Sequence, residues 1–144
     1  MKILILHGPN LNLLGEREPG IYGNVSLDEI DRRLKSLGAQ HDVVVECHQS
    51  NHEGELIDLL HAARIDTDAI LFNPGGYTHT SVALRDAVTA IKIPVIEVHL
   101  SNIYGREAFR QTSLLAPVCV GSISGFGMRS YELAFSAALM LTQA

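Results

Sequence analysis

Hydrophobic positions along this chain form two kinds of segment, short apolar runs and longer stretches with helical spacing. The runs are nearly continuous, which is typical of parallel strands that are buried on both faces. We therefore predict five strands, at residues 2–7, 42–47, 68–73, 95–99 and 118–122. The helical spacing predicts four helices, at residues 27–38, 53–64, 81–91 and 128–141. The chain thus alternates strand and helix along most of its length.

Local signals mark several of these boundaries. Ser26 and Glu29 fit a capping box at the start of the first helix, and Gly38 is expected to close it. The apolar face of this helix is formed by Leu27, Ile30, Leu34 and Leu37. Pro94 fits the beginning of the fourth strand, because proline cannot donate a hydrogen bond within a sheet ladder.

The element pattern predicts an α/β fold. Five strand–helix units in 144 residues, of which 47% are hydrophobic, indicate one domain over residues 1–144. By analogy we expect a flavodoxin-like three-layer sandwich with a five-stranded parallel sheet of order 2-1-3-4-5. In that order the ends of strands one, three and four are neighbours, and ligands bind at this edge of open α/β sheets.

Three of the predicted strands end in residues that can donate, accept or transfer protons. These polar segments are residues 7–10, 73–81 and 97–102. Their convergence at one edge of the sheet predicts an active site. The connection at residues 11–25 is long for this type of fold, and we interpret it as a lid. The alternative interpretation is an ordinary surface loop.

Charge and composition narrow the function classes. A net charge of −5 argues against a general nucleic-acid binder, although arginines in a cleft can still hold a small anion. Lys2 precedes only four apolar residues before His7, too few for a signal-peptide core or a membrane span, so we expect a cytoplasmic protein without membrane partners. Cys47 and Cys119 are expected to be buried free thiols without a catalytic role.

Two other ligand classes, metal ions and phosphate groups, are suggested by individual residues. His48 and His52 are four apart, but the residues between them have the character of a loop and no HExxH motif is present, so no metal site is expected. The glycines after Asn73 resemble a phosphate cradle but lack the lysine and spacing of known nucleotide motifs. A nucleotide or flavin binder of the same fold, and a non-catalytic oligomerisation module, remain alternatives.

The polar segments together carry a family resemblance. Residues 7–12, 17–23, 49–51, 73–81 and 97–102 stand in the order and spacing of type II 3-dehydroquinate dehydratases, and the similarity continues to the last helix. The resemblance implies conversion of 3-dehydroquinate to 3-dehydroshikimate by anti elimination of water through an enolate. It also implies no cofactor or metal, a homododecamer built from trimers, and a place in the shikimate pathway or in quinate catabolism.

The resemblance assigns five catalytic residues. Tyr22 would be the base that removes the proton next to the ketone, and Arg17 would activate it, since an unperturbed tyrosine with a pKa of about 10 is largely protonated at neutral pH. His99 would protonate the leaving hydroxyl, supported by Glu97 two positions earlier on the same strand face. Asn10 would stabilise the enolate oxygen through a held water, while also suiting a tight turn.

The resemblance also places the substrate. Asn73 and His79 would bind its hydroxyl groups, and the backbone amides of Leu100 and Ser101 would bind its carboxylate. Asp86 would reach across a trimer interface into the neighbouring site.

Two arginines in the polar stretch at residues 101–112 complete the predicted site. Arg110 would join the hydroxyl contacts, and Arg106 has a weaker assignment. Because the two are four apart, a helix would place them on one face.

Overall fold

A computed structural model of the chain describes residues 1–16, 18–22 and 24–143, with Pro19 and Tyr22 described by their backbone alone. Its sheet is all-parallel, as predicted. The strand order is β2-β1-β3-β4-β5, which confirms the flavodoxin-like three-layer topology. The strands are β1 (Lys2–His7), β2 (Val44–Gln49), β3 (Ala69–Asn73), β4 (Val95–His99) and β5 (Gly121–Ser124).

Helices cover both faces of this sheet. They are α1 (Pro19–Tyr22), α2 (Leu27–Gln40), α3 (Glu53–Ala62), α4 (Val82–Ile91) and α5 (Arg129–Gln143). One core cluster packs α2 and α5 on the sheet, and the other packs α3 and α4 on the opposite face. Alternate residues of β1 serve the two clusters: Ile3 and Ile5 face the first, and Leu4 and Leu6 face the second. This division explains why the strand has a continuous apolar run.

The predicted start of the fifth strand at residue 118 is wrong. Residues Ala116–Val118 form a 3-10 turn, in which the Val118 N–H donates to Leu115 O at 2.9 Å. Pro117 has no N–H and favours such a turn, so pairing begins only where Val120 N donates to Val95 O at 2.9 Å. The outer strand β5 therefore spans only Gly121–Ser124.

The helix start at Ser26 is confirmed, but the predicted end at Gly38 is not. Ser26 Oγ accepts a hydrogen bond from Glu29 N at 3.2 Å, whereas the helix continues past Gly38 to Gln40. A Cβ at position 38 would lie 2.6 Å from both Val43 O and Val45 Cγ2. Close approach to β2, rather than helix termination, accounts for this glycine.

Replacing Gly38 with alanine is expected to destabilise the protein by about 1–3 kcal/mol, because backbone atoms must move to accept the methyl group. Thermal or urea unfolding measures this loss. Gly54→Ala in α3 is the matched control, since a Cβ there meets nothing within 4 Å. If G38A were as stable as G54A, the close contact would have no energetic weight.

The two cysteines are free thiols, half-buried rather than fully buried as predicted. Cys47 lies in β2 and Cys119 follows the 3-10 turn before β5. Burial raises the pKa of both thiols to about 12, so both are protonated at neutral pH. Among residues 1–16, 18–22 and 24–143, no helix has the length and apolar character needed to cross a membrane.

Candidate active site

A small cavity lies where β1, β3 and β4 end, at the predicted edge of the sheet. Its volume is about 120 Å³. Asn10 and Asn73 both line it, and Leu100, the residue after His99, lines it as well. The remaining lining residues are Pro9, Leu11, Gly75, Gly76, Arg106 and Arg110. The structure thus brings the polar ends of three strands together.

The loops that follow β1 and β3 pack closely against each other beside the cavity. Gly8 N donates to Asn73 O at 2.7 Å, and a Cβ on Gly8 would lie only 2.5 Å from Pro74 O. Only glycine allows the first and third strand-end loops to approach so closely. The sequence motif after β1 therefore has a packing reason in addition to any chemistry.

Asn10 forms a left-handed turn, as its alternative interpretation predicted. Its φ is +69°, and its backbone N–H donates to Asn51 Oδ1 at 3.0 Å. Gln49 Nε2 donates to the same Asn51 oxygen at 3.0 Å and to Gly8 O at 3.1 Å. The 49–51 segment therefore holds the Asn10 turn at the cavity wall.

Glu97 and His99 form a buried pair at the end of β4. His99 Nε2 lies 2.6 Å from Glu97 Oε2, so the contact predicted from their spacing is present. Glu97 is fully buried, and His99 is 6% exposed. Because a carboxylate cannot donate, Nε2 carries the hydrogen of this bond and Nδ1 is the other proton-transfer position of the ring.

Two hydroxyl groups support this pair, and sequence reasoning missed both. Ser113 Oγ lies 2.9 and 3.0 Å from the two Glu97 oxygens and accepts from Ala116 N at 2.9 Å. Thr78 Oγ1 lies 3.3 Å from Glu97 Oε2 and from His99 Nε2. These hydrogen bonds compensate for the hydration that the buried Glu97 carboxylate has lost. Thr78 belongs to the 73–81 motif, whereas nothing in the sequence marks Ser113.

The two arginines reach the cavity without sharing a helix. Arg106 is extended, and Arg110 ends the 3-10 turn Ala108–Arg110, so the helix on which they would share one face does not form. The stretch has no apolar stripe with helical period, which leaves short turns as the stable local structure. Arg106 Nη1 donates to Ser101 Oγ at 3.4 Å, and Arg110 pairs with Glu107. Both guanidinium groups make the cavity favourable for an anion.

Three predicted binding residues, Ser101, His79 and Asp86, are not among the residues that line the cavity. Ser101 is buried and directly follows the lining residue Leu100. His79 is half-buried, and its Nδ1–H donates to Thr112 O at 2.8 Å. Asp86 is exposed on α4. Their predicted contacts with substrate therefore stay predictions.

The two residues assigned to proton abstraction belong to the connection between β1 and α2. Arg17 lies outside the described residues, and the Tyr22 side chain does so as well. The Tyr22 backbone ends the short helix α1. Their roles remain predictions from the family resemblance.

Clusters of side chains able to hold a metal ion are absent from the described part of the chain. His48 lies in β2 and its Nε2 is 2.6 Å from Glu46 Oε1, whereas His52 is the residue before α3. The pair is therefore not arranged on one helix face, as chelation at that spacing requires.

Comparisons with known proteins agree with this architecture. The family model described as "Dehydroquinase class II" matches residues 1–139. The 3-dehydroquinate dehydratase of Pelotomaculum thermopropionicum is 60% identical over 141 residues, covering 98% of each chain. That of Gloeothece citriformis is 62% identical over 131 residues, covering 91% of this chain and 86% of the relative. The crystal structure of type II dehydroquinase from Butyrivibrio crossotus superposes with a TM-score of 0.95 at 45% identity, covering 96% and 97% of the two chains.

Proposed function

The chain belongs to the class II dehydroquinase family, and we propose that its cavity converts 3-dehydroquinate to 3-dehydroshikimate and water by anti elimination through an enolate. The enzyme is a hydro-lyase. The observation that best supports this chemistry is the buried Glu97–His99 pair beside a cavity lined by Asn10 and Asn73. His99 is the proton-transfer group, and Asn10 and Asn73 supply neutral amide groups, so one small site holds both kinds of group.

The first step is removal of the proton next to the ketone. Tyr22 acts as the base in its phenolate form, and Arg17 stabilises that anion. The electrons of the broken C–H bond move to the ketone oxygen and form the enolate. Asn10 stabilises the negative oxygen with its side-chain amide or through a water, because amide groups supply hydrogen-bond donors without a net charge.

In the second step the enolate oxygen re-forms the ketone, and the electrons of the enolate double bond form the new C=C bond as the C–O bond to the hydroxyl group breaks. The hydroxyl group leaves as water. His99 delivers a proton from Nδ1 to the leaving oxygen while Nε2–H keeps its hydrogen bond to Glu97. The doubly protonated His99 ring acts as the acid, and the negative charge of the Glu97 carboxylate balances its positive charge. Ser113 and Thr78 keep that carboxylate in place between them.

Substrate is held by groups around the same cavity. The backbone amides of Leu100 and Ser101 bind its carboxylate, in the positive field of the two nearby guanidinium groups. Asn73, His79 and Arg110 bind its hydroxyl groups. These roles follow the family pattern, and the cavity lining supports those of Asn73 and Arg110.

The same proposal covers organisation beyond one site. Residues 1–144 act as one catalytic domain of a homododecamer built from trimers, in which Asp86 reaches the neighbouring subunit's site. The exposed position of Asp86 on α4 supports this contact. The enzyme works in the cytoplasm, in the shikimate pathway or in quinate breakdown, and its free thiols suit a reducing compartment.

A nucleotide or flavin binder of the same fold is not favoured. The cavity volume of about 120 Å³ is small beside the roughly 300–1,000 Å³ of pockets that enclose larger ligands. The family match and the 3-dehydroquinate dehydratase relatives point to a smaller substrate.

Chelator-treated enzyme is expected to turn over 3-dehydroquinate at the same rate as untreated enzyme, because the proposed steps use only side chains and backbone amides. The conjugated enone of 3-dehydroshikimate gives an ultraviolet absorbance that follows the reaction. Tyr22→Phe protein prepared in the same way controls for contaminating host enzyme. Loss of activity that added divalent metal restores would contradict the cofactor-free mechanism, and absence of enone with folded wild-type protein would overturn the function.

A further inference from the structure

Four polar side chains form a continuous chain of contacts from helix α2 to the cavity. Asp31 Oδ1 lies 2.7 Å from His7 Nε2, and His7 Nδ1 lies 3.0 Å from the Tyr131 hydroxyl. Asn73 Nδ2 in turn donates to that hydroxyl oxygen at 3.1 Å. His7 and Tyr131 are fully buried, and Asn73 lines the cavity. The contacts therefore link a partly exposed carboxylate to a group that lines the cavity.

Asp31, the outermost of these four side chains, determines the hydrogen positions in the other three. The Asp31 carboxylate can only accept, so His7 carries a hydrogen on Nε2, and in the neutral ring Nδ1 is then an acceptor. The Tyr131 hydroxyl donates to Nδ1, which leaves its oxygen lone pairs for the Asn73 amide. Burial raises the pKa of Tyr131, so its hydroxyl keeps the proton that this arrangement needs.

The inner end of the chain is the Asn73 amide. Its Oδ1 accepts from Gly75 N at 3.1 Å while its Nδ2 donates to Tyr131. A flipped amide would place Nδ2 against the Gly75 N–H, with two donors facing each other. The observed orientation leaves the second Nδ2 hydrogen and the second Oδ1 lone pair for a ligand.

We propose that Asp31, His7 and Tyr131 are positioning residues that hold the Asn73 amide in the orientation that binds a substrate hydroxyl group. This inference rests on the proposed function of the cavity. Tyr131 lies within an apolar core cluster formed by the sheet and helices α2 and α5, and His7 ends the buried strand β1 beside it. Apolar side chains could fill that space without hydrogen-bond requirements, so the polar chain is best explained by the group it orients.

Two variants interrupt the chain at sites that do not touch the cavity. Asp31→Asn lets His7 take either tautomer, and Tyr131→Phe removes the acceptor for Asn73 while keeping the ring in the core. We expect each to raise KM for 3-dehydroquinate about tenfold, as loss of one oriented hydrogen bond does, with kcat within roughly threefold of wild type. Asp28→Asn, an exposed carboxylate on the same helix, is the matched control and should leave KM unchanged.

A spectroscopic readout separates orientation from stability. The ¹⁵N chemical shifts of His7 should report the Nε2–H tautomer in wild type and a tautomer mixture in D31N. If both variants melt at lower temperature but keep wild-type KM, the hydrogen bonds among these side chains only stabilise the fold, and the inference is overturned. An Nδ1–H tautomer of His7 in wild type would also overturn it. Wild-type turnover tests the proposed function separately, because this inference depends only on the ratio of variant to wild type.

Discussion

Replacement of Tyr22 by phenylalanine is expected to lower turnover of 3-dehydroquinate at least about a hundredfold while leaving binding nearly intact. Phenylalanine keeps the ring but lacks the phenolic oxygen, so no group remains at that position to accept the proton next to the ketone. Loss of a positioned general base lowers the rate by roughly 10²–10⁴-fold. Enone absorbance measures kcat, and isothermal titration calorimetry measures the dissociation constant for substrate.

Tyr104→Phe is the matched control for this substitution. Tyr104 lies in the loop after β4 and is 62% exposed, so the same chemical change there should leave kcat unchanged. Retention of more than about a tenth of wild-type kcat by Y22F would remove Tyr22 as the base, because a general base contributes more than that. A large loss of binding with little loss of kcat would instead assign Tyr22 to substrate binding.

The architecture of this protein could be predicted because its signals are local. Continuous apolar runs indicate strands buried on both faces, and alternate residues of β1 do serve two separate core clusters. The polar residues that end β1, β3 and β4 then meet because neighbouring parallel strands end at the same edge. The sequence alone therefore predicts that Asn10, Asn73 and the Glu97–His99 pair lie near one another.

The features that could not be predicted depend on close contacts between distant parts of the chain. Ser113 binds Glu97 across 16 positions, and Tyr131 binds Asn73 across 58. No spacing rule connects such residues. Gly38 is similar: its sequence context is that of a helix end, but its reason is the approach of β2, which only the packed structure reveals.

His99→Ala is the second substitution with a large expected effect, and it tests whether the two proton transfers are separate. Without an acid the hydroxyl must leave unassisted, so kcat for water loss should fall by roughly 10²–10⁴-fold. Enolate formation depends on Tyr22 and Asn10 instead, so exchange of the proton next to the ketone should persist. Proton NMR of 3-dehydroquinate in deuterated buffer measures this exchange above the enzyme-free rate.

The pattern of the two rates distinguishes the roles that His99 can have. His61→Ala, an exposed histidine on α3, should change neither rate. If H99A lost exchange together with water loss, His99 would be needed to form the enolate and its assignment as the acid would be wrong. If both rates stayed near wild type, the Glu97–His99 pair would be structural. Slow water loss with continued exchange is the result that we expect, because Glu97 and Thr78 contact the imidazole, Ser113 holds Glu97, and the first proton transfer is assigned to Tyr22.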